Sequence, residues 1–268
     1  MTGRVLGRLA LAASVLVALS SFAPIAGQVS PAGGTYNPPK TSRGQPNLEG
    51  IWQALNTAAW NIEDHAGATN VPAGKSVVEG GPLPYLPEAL SKRNDNFRNR
   101  KMADPESKCW LPGVPRITYM PHPFQILQFD RYVVINYEYL NTTRYIYTDG
   151  TPSPDADVID FFMGSSNGRW DGMALVVEVT NNNDRTWFDR AGNHHSDAMR
   201  LTERYTPIGP NHLQYDVTVT DPKTFSRPWK MSMPLYRRVE PDAELLEFEC
   251  YAYAEEDTEA VESAGGKK

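Results

Sequence analysis

The sequence predicts a mainly β protein, an antiparallel meander closed into a barrel or a sandwich, with an irregular excursion on its amino-terminal side. Three observations predict it. From residue 116 onward, β-branched and aromatic residues alternate with polar ones in short runs. Turn residues separate those runs at short intervals: Asp130-Arg131, Asn141-Thr142, Pro207, Gly209-Pro210 and Asp221-Pro222. Helical periodicity is nearly absent over the same stretch.

In chain order, residues 1–27 come first. Arg4 and Arg8 precede an apolar run from Leu9 to Ala23, followed by the small residues Ala26 and Gly27. This is the layout of a secretory signal peptide. Residues 28–46 are rich in Pro, Gly, Ser and Thr and read as a flexible leader. A single β-rich domain is expected over 47–254. Within it, 61–108 is a polar excursion with one short helix near Pro87–Met102. Strands are expected over 116–129, 131–139 and 143–148, then a hairpin through Gly168–Gly172 into MALVVEV. AMRLTERY (198–205), HLQYDVTV (212–219), WKMSMPLY (229–236) and LLEFECYA (245–252) follow as further strands. The acidic 255–268 tail reads as disordered. Alternation places Met199, Leu201, Glu203 and Tyr205 on one face, and Leu213, Tyr215, Val217 and Val219 on another. Closure of the meander follows from the need to remove exposed edges.

The formal charge is −6, and loss of Arg4 and Arg8 with the signal moves it to −8. An acidic chain argues against nucleic acid and anionic membranes as partners. No segment after the signal is long and apolar enough to anchor in a bilayer, so a periplasmic or secreted location is expected. In such a compartment the two cysteines, Cys109 and Cys250, are expected to pair.

The blocks PNLEGIW (46–52), CWLPGVPR (109–116), NYEYLNTTRYIYTDG (136–150), GRWDGMALVVEV (168–179), NDRTWFD (183–189), HSDAMRLTERY (195–205) and DPKTFSRPW (221–229) occur in this order. Together they resemble an uncharacterised family of exported bacterial proteins, over roughly residues 46 to 251. The resemblance implies kinship and export and supplies no chemistry. Gly50-Ile51-Trp52 resembles the opening of lipocalin-like barrels, which implies such a barrel with the Trp at one end.

The densest polar run is Asn183–Asp189, followed by His194–Asp197, on a link between two expected strands, where binding groups concentrate. His195 is the candidate general base, oriented by Asp184 or Asp197. Glu203, pointing into an apolar interior, is its acid–base partner. Arg144 and Arg185 are the cations to pair with it or to hold a substrate's negative charge. Tyr137 and Trp187 would line the cavity. Each of these also has a structural reading: a turn, a strand cap, a buried ion pair. No metal site is expected, because adjacent histidines on a strand point apart and no ligand spacing is present. No nucleotide or dinucleotide motif occurs, so no cofactor is expected. Three functions fit. One is an exported protein binding an apolar or aromatic small molecule in a β-barrel cavity. The second is a cofactor-free isomerase, cyclase, lyase or hydratase of a hydrophobic substrate. The third is a structural or interaction module.

Overall fold

The computed structural model describes residues 36–251 apart from residue 157. The expected signal segment, the first part of the leader and the acidic tail lie outside the described residues. Nine strands close into a barrel: β1 (Gly50–Ala54), β2 (Phe124–Gln128), β3 (Tyr132–Tyr137), β4 (Thr142–Tyr147), β5 (Ser165–Asp171), β6 (Ala174–Thr180), β7 (Arg200–Gly209), β8 (His212–Thr220) and β9 (Trp229–Arg237). Two helices, α1 (Pro87–Ala103) and α2 (Arg116–Tyr119), fall between β1 and β2.

Each strand pairs with the next, and β9 returns to β1 through Trp52↔Arg237 and Ala54↔Leu235. A closed barrel with an odd number of strands cannot have every neighbour antiparallel. Here the parallel pair is β4–β5, with Ile146 opposite Ser166. Segment 148–164 supplies the long return that such a pair requires. The β5–β6 hairpin turns at Gly172, as its sequence predicts.

The alternation read from sequence sets the interior. Leu201, Glu203 and Tyr205 on β7, Leu213, Tyr215, Val217 and Val219 on β8, and Trp229, Met231, Met233 and Leu235 on β9 are all buried. Most join Phe124, Ile126, Ile135, Ile146, Val177 and Val179 in one core. A barrel of about this strand number has an interior just wide enough for its own side chains to fill. Trp52 is buried, donates its indole N–H to the Leu48 carbonyl (2.9 Å), and lies under the Arg237 guanidinium, 4.2 Å from the ring centroid. Gly50 makes this possible: its φ is +135°, and any Cβ there would collide with Arg237.

Three segments differ from expectation. Residues 116–123 form α2 and a link instead of a strand, because Pro115, Pro121 and Pro123 withhold the N–H groups a ladder needs. Residues 36–46, expected to be flexible, close into a turn with Lys40 bridged to Pro46, held to the barrel by the Gln128 amide donating to the Pro46 carbonyl. Residues 245–251 of the expected strand LLEFECYA are not a strand, since β1–β9 pairing leaves no free edge for them. They run back instead to Cys109, and the expected Cys109–Cys250 bridge is formed with a Cα separation of 5.5 Å.

The strand directions have one consequence for function. The long connections 55–123, 181–199 and 221–228 all leave the same end of the barrel. They pack on one another there and build the molecule's irregular end.

Candidate functional site

The residues singled out from sequence separate into two places. Arg144 on β4 and Glu203 on β7 meet across the barrel interior, both essentially inaccessible. Arg144 Nη1 donates to Glu203 Oε1 at 3.2 Å, and Nη2 donates to Oε2. Oε1 also accepts from the hydroxyls of Tyr205 (3.1 Å) and Tyr215 (2.6 Å), while Arg144 Nε donates to Ser166 Oγ at 3.0 Å. Burial alone would favour loss of the Arg144 proton, but the Glu203 carboxylate outweighs it and holds the guanidinium well above its usual range. Tyr137 sits at the edge of this group with its hydroxyl 3.2 Å from Thr118 Oγ1. The group ties five strands together and faces other side chains only.

His195 belongs to the 181–199 connection. Its Nδ1–H donates to the Ser196 carbonyl (2.9 Å), so its Nε2 is the acceptor and takes the Thr186 hydroxyl at 2.6 Å. Both ring nitrogens are therefore occupied, and burial pushes the imidazole's pKa down. Trp187 is buried beside it, its backbone bridged to His194. Asp184 and Arg185 point outward; Arg185 lies over the Phe162 ring at 5.8 Å. Asp197 pairs with Lys223 on the surface. The expected shared cavity for Glu203, His195, Arg144 and Arg185 is thus corrected. The first and third are paired inside the barrel, His195 is saturated within its loop, and Arg185 is on the surface.

The loop's hub is Asp189, the last residue of the polar run and one to which the sequence assigned no catalytic or binding role. It accepts from the N–H groups of Ile62 (2.9 Å), Ala191 (2.9 Å) and Asn193 (3.2 Å), and from the Asn193 amide (2.6 Å). Burial nevertheless pushes its pKa up to about 6.

An open, largely apolar space lies outside the barrel, at the irregular end. A pocket of about 620 Å³ opens between α1, the 60–71 segment, the 104–107 turn and the carboxy-terminal stretch. This size suits a drug-sized molecule. Trp60, Phe97, Val71 and Phe248 give it a largely apolar surface. Phe248 stacks on Tyr139 at 5.3 Å, and Cys250 of the disulfide stands beside it. The bridge therefore fixes one wall. Helix α1 supplies another. Pro87 opens the helix, and Asp104-Pro105 closes it. Arg93, Phe97 and Arg100 recur at i, i+4 and i+7, which puts them on one face. Gly192, at φ +84°, lets the 189–195 loop come against Asn96 and Phe97 of that helix.

Two polar atoms of the lining residues are buried without a protein partner, Tyr139 Oη and His65 Nε2. His65 Nδ1–H donates to the Glu63 carbonyl (2.9 Å), leaving Nε2 as an acceptor. Buried polar atoms normally have partners; these two are closed off within the wall and do not face the open space. Among the described residues no cluster of His, Cys, Asp or Glu is suited to a metal ion. No helix there is long and apolar enough to cross a membrane. No family model and no curated protein matches the chain.

Proposed function

We propose that this protein is exported to an oxidising compartment and binds an apolar or aromatic small molecule, in the pocket beside α1 and not in the barrel interior. The observation that carries the reading is that pocket: about 620 Å³ and largely aromatic-walled. The filled barrel supports the same choice, because its polar groups are bonded to one another. The disulfide, the layout of the first 27 residues and the kinship drawn from the seven sequence blocks support export. A cofactor-free enzyme built on His195 and Glu203 is less well supported, since neither has a lone pair or carboxylate oxygen turned to open space. The acidic chain has no nucleic-acid partner on this reading.

The test is a fluorescence titration with the neutral probe N-phenyl-1-naphthylamine, whose emission rises in apolar surroundings. Saturable enhancement is expected with the native protein. Ala68→Trp, which fills the pocket from an exposed lining position, should abolish it while leaving the circular dichroism spectrum unchanged. Absence of enhancement, or enhancement that survives Ala68→Trp, would contradict the reading.

A further inference from the structure

The pocket's charge runs against that of the molecule. The chain carries a formal charge of −6, yet four cations and two carboxylates line this pocket. Both carboxylates are already engaged. Asp104 receives Arg116 in a bidentate pair (2.8 and 3.1 Å). Glu106 receives Arg116 at 2.7 Å and Arg190 through both of its oxygens. Burial alone would favour protonation of Glu106, but the two guanidiniums hold it below its usual range, so it stays ionised and paired. Arg190 is engaged in turn by Glu106 and by the Trp60 ring, 4.1 Å away.

Arg93, Arg100 and Lys101 are left. Among the described residues none of them has a carboxylate partner within ion-pair distance. The two arginines flank Phe97, which is 42 % exposed although it is the largest apolar residue of the helix. Their guanidinium carbons lie 5.6 Å (Arg93) and 4.2 Å (Arg100) from its ring centroid. Arg93 Nε and Nη1 donate to Asn193 Oδ1 and Asn94 Oδ1 (both 3.3 Å), and Arg100 Nη1 donates to the Phe97 carbonyl (2.7 Å). Stacking limits the motion of the guanidiniums, and their remaining N–H groups are left for a ligand. An unburied aromatic flanked by two guanidiniums that have no carboxylate partner suits a ligand with an apolar body and a planar anionic head.

Resting on the binding reading above, we infer that the ligand is an amphiphilic carboxylate, its head held by Arg93 and Arg100 and its apolar or aromatic body lying on Phe97, Trp60 and Phe248. Lys101 adds to the positive field without a planar fork.

The experiment displaces N-phenyl-1-naphthylamine with 6-phenylhexanoate or with 6-phenylhexan-1-ol, in the native protein and in Arg93→Gln/Arg100→Gln. Arg100 is exposed and Arg93 half-buried, with a hydrogen bond to Asn193 Oδ1 that a glutamine amide can also donate, and a melting curve checks that the fold tolerates the change. The acid should displace the probe at a concentration at least about tenfold lower than the alcohol. In the double variant the acid should fall to the alcohol's level, with the alcohol and the probe unaffected. Added salt should reduce the acid's advantage in the native protein. Equal displacement by acid and alcohol, or an acid preference that survives the double substitution, overturns the carboxylate inference and leaves the binding reading standing. Failure of the probe to bind overturns the binding reading itself.

Discussion

Glu203 has every oxygen accounted for: Arg144 reaches both, and the hydroxyls of Tyr205 and Tyr215 share Oε1. Its position on the inner face of β7 is legible from the alternation of AMRLTERY. Its partner is not, because Arg144 lies on β4, three strands away around the barrel. An acid in an apolar interior has the same sequence signature whether it serves chemistry or structure; the partner decides. Removing one member of a buried pair leaves a charge without compensation. Glu203→Gln should therefore cost about 3–5 kcal/mol of stability, measured by urea denaturation. Replacing both residues, as Arg144→Met/Glu203→Leu, removes both charges and should cost less than the single change. Unchanged stability of Glu203→Gln would show that the pair contributes little to the fold.

At the scale of elements, the 181–199 connection behaves as a titrating unit. Burial pushes His194 down to about 4, and lowers His195 as well, relative to about 6.5 in an unfolded chain. Between those values the unfolded chain binds more protons, so this contribution is fully present above about pH 6.5 and is lost as pH falls toward 4. Asp189 acts oppositely. Its folded pKa of about 6 lies above the ordinary 3.8, so its contribution is present at low pH and lost as pH rises through about 6. Two histidines oppose one carboxyl, and unfolding midpoints should fall between pH 7 and pH 5. His194→Gln should make that fall shallower; an identical slope in the variant would refute the assignment. The polarity of this loop is evident in the sequence. Its closure is not, because Asp189 is anchored to Ile62, from a segment that reads as mere excursion.

Helix α1 makes the same point. Its limits are legible almost to the residue, since Pro87 and Asp104-Pro105 bracket it. Its purpose is not, because it carries no apolar stripe to announce a partner. The spacing of Arg93, Phe97 and Arg100 is the one signal that singles out a face.

For the molecule as a whole, β-branched alternation and turn residues were enough to predict a closed, mainly β body. They could not show which end would grow the long connections, and so where open space would form. The pocket draws Trp60, α1, Tyr139 and Phe248 from distant parts of the chain, and only the strand directions bring them to one end. The disulfide spans a sequence separation of 141 and holds Phe248 and Cys250 in that wall. On the chain-entropy model it also stabilises the fold by about 4–5 kcal/mol.

The central claim is that ligand binds outside the barrel, and hydrogen exchange with and without saturating N-phenyl-1-naphthylamine tests it most directly. Slower exchange is predicted in 60–71, 93–107 and 246–251, with β7 and β8 unchanged. Slower exchange confined to β7, β8 and the strands around Glu203 would place the ligand in the barrel and contradict the account.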